Sequence, residues 1–220
     1  MGEWVPEPLP DPAEWSSVRA GGTTADPADR VTLDESVSMA FLVVLDAMTP
    51  AERVALILHE VFGYPCAEVG EITGRTPAAC RQLASSARRR IRTSQGPATP
   101  AARQAGLVRD FRQAWEARNM GALIGLLDPG ATVIADGGGL ARAALRPVEG
   151  GEQVAHHLVG IAARAPSPTI LERTVNGQPG LVAQQEGVTV TVFAFGLGGD
   201  RIEHIWAVRN PDKLRPWTTG

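Results

Sequence analysis

The sequence predicts a multidomain α and α+β fold, in which an all-α domain precedes an α+β domain with a curved antiparallel sheet. Apolar residues at three- and four-residue steps dominate as far as residue 92, and short alternating runs between glycine turns dominate after residue 130. Residues 93–100 between them have the composition of a linker. We therefore predict an extended, acidic, proline-rich linker at residues 1–29, a helical domain at 30–93 and an α+β domain at 100–215.

The predicted helical domain has the pattern of a helix-turn-helix. Thr49, Pro50 and Glu52 form a capping-box sequence that predicts the start of one helix. A short helix at 66–72 is predicted to end at Gly74, and a longer one to run from Thr76 to about residue 92. A glycine-containing turn between two such helices is typical of DNA-binding proteins.

The predicted second helix concentrates positive charge that the whole-chain composition conceals. The 220 residues carry a net charge of only −3, which by itself gives no support to nucleic-acid binding. After Glu71, however, no acidic residue occurs before Asp110, and the interval contains Arg75, Arg81, Arg88, Arg89, Arg90 and Arg92. This stripe predicts a nucleic-acid interface, and the alternative is a solvated arginine-rich helix in a small helical bundle.

The second half of the chain predicts helices followed by a meandering sheet. The helices are expected at 101–118, 120–127 and 151–163, and the strands at 131–135, 170–175, 181–185, 188–195 and 202–209. Asn-Gly, Glu-Gly and Gly-Gly pairs between the later strands predict hairpin turns. Helices first and antiparallel strands afterwards indicate an α+β domain.

Composition excludes several classes of protein. No apolar run approaches the roughly 20 residues needed to cross a bilayer, and the acidic, proline-rich start does not fit a signal peptide, so we expect a cytoplasmic protein with no membrane partner. Cys66 and Cys80 lie 14 positions apart without a CxxC pair, which argues against zinc. The sequence predicts no metal site and no cofactor.

Residues 30–92 resemble region 4 of the extracytoplasmic-function (ECF) RNA polymerase sigma factors. The resemblance is carried by residues 45–53 (Leu-Asp-Ala-Met-Thr-Pro-Ala-Glu-Arg), residues 58–64 and residues 67–77, which span the turn. It implies that the second helix reads the −35 promoter element and that the domain also contacts core RNA polymerase. We expect base contacts from Arg75, Thr76, Pro77, Ala78, Arg81, Gln82 and Ser85, and backbone contacts from Arg88, Arg89 and Arg92.

Three further motifs resemble the subgroup of this family that carries a fused C-terminal SnoaL-like domain. Residues 4–8 (Trp-Val-Pro-Glu-Pro) are similar to the subgroup's linker between regions 2 and 4, and residues 136–139 and 210–214 to two motifs of its SnoaL-like domain. The resemblance implies a regulatory domain that packs on the sigma domains through Trp4, Pro6, Glu7, Pro8, Asp136, Gly137, Gly138, Asn210, Pro211, Asp212, Lys213 and Leu214. Leu140 stands where the glycine motif usually continues with lysine.

The same resemblance predicts a chain that represents the family from the linker onward. Region 2 would precede residues 4–8, so we expect either a piece of a longer protein or a natural form that lacks region 2. A form of this kind could also bind polymerase without promoters and act as a decoy. The sequence predicts a transcription-initiation regulator rather than an enzyme, with promoter DNA and core RNA polymerase as partners.

SnoaL-like cones often enclose a pocket, and here its candidate residues are Asp136, His204 and Trp206. Strict alternation would place Ile202, His204 and Trp206 on one face of a strand, and an inward Asp136 opposite His204 could do acid–base work. The alternative is a core histidine bonded to the sheet. A small-molecule ligand in the cone is therefore the alternative prediction, with the helix-turn-helix as a DNA-binding appendage.

Overall fold

The computed structural model describes residues 3–11, 38–94, 100–164 and 168–217. Two compact units divide the chain: Ala40–Gly96, and Pro97–Gly220 together with the N-terminal segment Met1–Met39. Residues 3–11 thus associate with the C-terminal unit rather than with the helical unit that follows them in sequence. In the described ranges, no helix combines the length and the apolar character that crossing a membrane requires.

The helical unit is built from α1 (Met39–Asp46), α2 (Pro50–Leu56), α3 (Cys66–Thr73) and α4 (Pro77–Ser94). A π-helical turn, Ile57–Val61, extends α2. Two small apolar clusters join the helices: one contains Met48, Leu56 and Ala87, and the other contains Ala55, Val69 and Cys80. Both clusters use small residues of α4, so this helix packs closely against its neighbours while its outer side is exposed.

Glu52 connects the start of α2 to the middle of α4. The predicted capping box is confirmed: Thr49 N–H donates to Glu52 Oε2 at 3.0 Å, and Glu52 N–H donates to Thr49 Oγ1 at 3.3 Å. The other carboxylate oxygen accepts from Ser86 Oγ at 2.9 Å and lies 3.5 Å from Arg90 Nε. These bonds, above all that from the Thr49 backbone and then that from Ser86, lower the pKa of Glu52.

The second unit is an α+β structure, as predicted. Its helices and strands follow in the order α5 (Ala101–Glu116), α6 (Met120–Leu126), β1 (Leu127–Asp136), β2 (Val148–Glu149), α7 (Gly151–Arg164), β3 (Thr169–Val175), β4 (Gln178–Gln185), β5 (Val188–Gly198) and β6 (Arg201–Val208). A 3₁₀ turn, Arg215–Trp217, ends the described chain.

The sheet is mixed, which corrects the prediction of an antiparallel one. Its strand order is β2-β1-β6-β5-β4-β3, and β1 pairs parallel with β6 while the other neighbours pair antiparallel. Strand β1 joins the meander through a long crossover that includes α7, and the local sequence does not reveal such long-range pairing. The hairpins after β3 and β4 turn at Asn176 and Glu186, both with positive φ and each followed by glycine.

One face of the sheet packs against the helices and forms the main core. Phe111 and Trp115 of α5 stack edge-on against Phe195 and Phe193 of β5, with centroid distances of 5.3 Å in both pairs. Leu123, Val154 and Leu158 of the neighbouring helices complete this cluster. The interior of the cone is thus occupied by aromatic and aliphatic side chains.

The Glu52 network predicts a pH-dependent stability of the helical unit. Glu52→Gln removes an ionised acceptor and should lower the free energy of unfolding by about 1–3 kcal/mol at pH 7. Folding lowers the pKa of Glu52 from its usual 4.5. The stabilisation that the Glu52 carboxylate gives to the folded state is therefore fully present above pH 4.5. It is lost as the pH falls through the folded-state pKa, so the variant and the wild type should then converge.

Thermal unfolding followed by circular dichroism at 222 nm, from pH 7 to pH 3, measures this difference. Glu68→Gln is the matched control, because Glu68 is an exposed carboxylate in the first turn of α3. An equal loss of stability in both variants would contradict the role of the Glu52 network.

Candidate nucleic-acid interface and linker-binding site

The turn between α3 and α4 is fixed by two glycines and a threonine cap. Gly74 ends α3 in the left-handed conformation with φ 66°. At Gly70 a Cβ atom would lie only 2.7 Å from the Arg75 carbonyl oxygen, so the turn packs on the helix at a distance only glycine allows. Thr76 Oγ1 accepts from Ala79 N–H at 3.2 Å and caps α4.

The N-terminal half of α4 presents an exposed polar face. Cys80, Ala84 and Ala87 point into the unit and are buried. The predicted base-contacting residues are all exposed: Arg75, Thr76, Pro77, Ala78, Arg81, Gln82 and Ser85. Among the described residues, the side chains of Arg75 and Arg81 have no acidic partner, so their guanidinium groups are available to an outside acceptor. This geometry suits a helix that enters a major groove.

The C-terminal half of α4 carries arginines that the unit already engages. Arg88 Nε lies 3.1 Å from Glu60 Oε1, and Arg90 pairs with Glu52. Arg89 is exposed. Arg92 lies within the helix, but its side chain is outside the described residues. Arg88 remains 44% exposed despite its ion pair, which leaves it able to reach a phosphate as well.

The prediction that alternation places Ile202 and His204 on one face of β6 is wrong. Gly196 pairs with His204 while Leu197 pairs with Ile202, so Glu203 is an extra residue in a β-bulge. The bulge turns both Ile202 and Ile205 into the core and leaves His204 exposed.

The candidate pocket residues do not converge on an interior cavity. His204 Nδ1 lies 2.8 Å from Thr132 Oγ1, and its ring lies 5.6 Å from the ring of the buried Trp206. Thr132 is the strand partner of His204, and Asp136 is four residues further along β1, or about 13 Å at the usual rise of a strand. An open depression of about 510 Å³ lies beside α5 and α6, and none of the three residues lines it.

Asp136 is the centre of a contact between three chain segments. Its carboxylate accepts from the backbone N–H of Val5 at 3.2 Å and from Gly138 N–H at 2.8 Å. Lys213 Nζ lies 2.7 Å from Asp136 Oδ2, also donates to the Val5 carbonyl, and sits 4.2 Å from the centre of the Trp4 ring. The Asp136 side chain is only 5% exposed, so an uncompensated charge there would be costly.

Residues 210–214 form the turn that presents Lys213 to Asp136. Asn210 Oδ1 accepts from Asp212 N–H, and the Asn210 carbonyl accepts from the N–H groups of Lys213 and Leu214. A Cβ at Gly138 would lie 2.3 Å from the Asn210 side chain, so the glycine motif and this turn touch directly. Leu214 is buried, while Pro211 and Asp212 are exposed.

The segment of residues 3–11 lies against the sheet face opposite the main core. Val5, Pro6 and Pro8 are buried, whereas Glu7 is exposed and Trp4 is 59% exposed. Gly137 lies in the adjoining turn, where a Cβ would clash with the Ala141 carbonyl oxygen at 2.2 Å. The motifs at residues 4–8, 136–138 and 210–214 thus lie together within this unit, and we call this contact the linker-binding site after the linker that residues 4–8 resemble.

Sequence reasoning missed two residues of this site, Asn176 and Trp217. Asn176 bonds to the backbone of Leu9, and Trp217 Nε1 donates to the Pro8 carbonyl at 2.8 Å. The sequence indicates only that Asn176 belongs to an Asn-Gly hairpin turn, and the structure confirms that turn. No local signal in the sequence connects either residue to a segment more than 160 positions away.

Comparison with known proteins supports both units. The family description "Sigma-70, region 4" matches residues 38–91. The chain is 33% identical over 207 residues to the probable ECF RNA polymerase sigma factor SigI of Mycobacterium tuberculosis, covering 94% of this chain and 69% of that protein. It is 31% identical over 229 residues to the ECF RNA polymerase sigma factor SigJ of M. tuberculosis, covering 97% of this chain and 69% of SigJ.

The crystal structure of M. tuberculosis SigJ is similar to both units. It superposes with a TM-score of 0.76 at 28% identity and covers 98% of this chain and 76% of the other. The predicted fold class, a helical region 4 followed by a SnoaL-like α+β domain, is confirmed, with the sheet mixed rather than antiparallel.

The buried ion pair at the linker-binding site predicts a strong coupling. Lys213→Met leaves the Asp136 carboxylate without its cation and should destabilise the α+β unit by about 3 kcal/mol. Adding Asp136→Asn removes the unpaired charge. The double variant should therefore lose less stability than the two single variants lose in sum, by at least about 1 kcal/mol. Urea unfolding followed by tryptophan fluorescence reports on this unit, because the five tryptophans all lie outside residues 30–99.

The exposed pair of Arg103 and Asp200 is the control for this cycle. Their side chains are 60% and 70% exposed at 3.7 Å, and the cycle of Arg103→Met with Asp200→Asn should give a coupling below about 1 kcal/mol. A coupling at Lys213 and Asp136 no larger than that of the control would show that the buried pair does not hold the segment.

Proposed function

The chain belongs to the extracytoplasmic-function RNA polymerase sigma factors, and we propose that its α4 helix reads the −35 element of a promoter. Sigma factors direct transcription initiation and are not enzymes. The observation that supports the proposal is the exposed face of α4, where Arg75 and Arg81 project from a capped helix start without acidic partners among the described residues. Core RNA polymerase is the protein partner that membership of this family implies.

The two halves of α4 are proposed to have different roles. Arg75, Thr76, Pro77, Ala78, Arg81, Gln82 and Ser85 lie toward the helix start, which is the part of a recognition helix that reaches base edges. Arg88, Arg89 and Arg92 lie one to three turns further on and are proposed to contact phosphates, where they would add salt-sensitive affinity without reading sequence.

The SnoaL-like unit is proposed to modulate the sigma factor through the linker. Through Asp136 and Lys213, the unit binds Val5 directly, and Val5 lies in the segment that resembles the linker between regions 2 and 4. The alternative of a ligand-binding or catalytic cone is less well supported, because Asp136 is engaged by the segment and His204 is exposed. We propose that the protein acts in the cytoplasm, where RNA polymerase and the promoter are found.

Replacing Arg81 tests the proposed reading of DNA. On DNA selected by the wild-type chain from a library with a randomised −35 element, Arg81→Ala should weaken binding by about 1–3 kcal/mol and relax the preference at one or two positions. Arg88→Ala should weaken binding to all sequences about equally and lower the salt dependence by about one released ion. Fluorescence anisotropy across a range of salt concentrations measures both.

Arg103→Ala serves as the control, because it removes an exposed arginine from the α+β unit. A uniform loss for Arg81→Ala would assign Arg81 to the phosphate backbone. Affinity equal to that of the control would refute the assignment of α4 as the recognition helix.

A further inference from the structure

Residues 3–11 contact the α+β unit at two separate places. The first is the junction of Asp136 and Lys213 around Val5. The second lies four residues further on, at Leu9. There the Asn176 N–H donates to the Leu9 carbonyl at 2.8 Å, and Asn176 Oδ1 accepts from the Leu9 N–H at 3.1 Å.

Trp217 strengthens the second contact. Its indole N–H donates to the Pro8 carbonyl at 2.8 Å, and the side chain is buried with 3% exposure. The Trp217 carbonyl accepts from Thr189 Oγ1 at 3.1 Å, which holds the backbone of residue 217 against strand β5. Asn176 Nδ2 also donates to the Glu7 carbonyl at 3.3 Å, and Pro10 bridges to Val175 at the end of β3.

The chemistry of these contacts suits a proline-rich peptide. Pro6, Pro8 and Pro10 have no backbone N–H, so an extended segment of this composition offers mainly carbonyl acceptors. The α+β unit donates hydrogen bonds to four of these carbonyls: from Lys213 Nζ to Val5, from Asn176 Nδ2 to Glu7, from Trp217 Nε1 to Pro8 and from the Asn176 N–H to Leu9. In the other direction, Asp136 accepts from the Val5 N–H and Asn176 accepts from the Leu9 N–H.

This arrangement also selects one register. A shift of the segment by a single residue in either direction would bring a proline to the oxygen of Asn176 that accepts from Leu9, and the bond would be lost. A shift by two residues would move Trp4 away from the ammonium group of Lys213. Recognition by backbone bonds at one end and by an aromatic ring at the other therefore fixes both the conformation and the position of the segment.

We propose that Asn176 and Trp217 form a distal anchor that sets the register of residues 3–11, separate from the contact at Asp136 and Lys213. The inference rests on the proposed role of this segment as the linker, and it adds the element that sets its register. Both contacts bind the backbone of the segment: the proximal contact uses the charged groups of Asp136 and Lys213, and the distal anchor uses the neutral groups of Asn176 and Trp217.

Asn176→Gly tests the distal anchor without straining the turn. Asn176 has φ 49°, which glycine adopts freely, and the variant keeps the backbone N–H while removing both side-chain bonds. Hydrogen exchange measured by NMR on the full chain should show the Leu9 amide exchanging about tenfold faster or more. The Val5 amide, held by Asp136, should keep its protection.

Glu186→Gly is the matched control. Glu186 has φ 51° and precedes Gly187 in the next hairpin turn, as Asn176 precedes Gly177, but it makes none of the bonds to residues 3–11. It should leave Leu9 exchange unchanged. Trp217→Phe, which keeps a ring but removes the indole N–H, should accelerate Leu9 exchange severalfold.

Unchanged Leu9 exchange in Asn176→Gly would overturn the proposal, as would an equal change in Glu186→Gly. Joint loss of protection at Val5 and Leu9 would show one contact rather than two and would overturn the distal anchor. Neither DNA nor polymerase enters this measurement, so its failure is distinct from failure of the proposed promoter recognition.

Discussion

The buried carboxylate of Asp136 is the interaction on which the organisation of the α+β unit depends. It lies at the end of β1 and accepts hydrogen bonds from the N-terminal segment, from the glycine turn that follows the strand, and from the C-terminal Lys213. Residues 5, 136 and 213 are thereby held at one point although they are far apart in sequence. A charge so little exposed would be costly without these partners, so the bonds of Asp136 tie the three segments together in the folded unit.

In the helical unit, the carboxylate of Glu52 likewise connects segments that are distant in sequence. Glu52 closes the capping box of α2 and accepts from Ser86 on α4, so one side chain both caps a helix and fixes the position of α4. The capping box was predictable because it depends on residues three positions apart. The bond to Ser86 was not, because it depends on the tertiary packing of two helices.

Sequence patterns predicted most of the helices and strands, and short motifs carried both family resemblances. The predictions failed where contacts between distant residues decide strand pairing and the faces of side chains. The helix-turn-helix followed from Gly74, Thr76 and Pro77, which act locally. The parallel pairing of β1 with β6 and the bulge at Glu203 have no local signal, and the bulge places Ile202 in the core while His204 is exposed, although both were expected on one face. The acid–base arrangement expected in the cone does not form for a different reason: Asp136 lies about 13 Å along β1 from the strand partner of His204 and binds Val5 and Lys213 instead.

The single lysine of the chain lies at a site where a compact ammonium group fits its three partners. Twenty of the 21 basic residues are arginine, and Lys213 alone is lysine. Its ammonium group meets a carboxylate, a backbone carbonyl and the face of Trp4, which approach one compact charge from different directions. A planar guanidinium directs its donors in a fork within one plane and could not meet all three in the same way. An arginine at this position would keep the charge and lose the geometry of these three contacts.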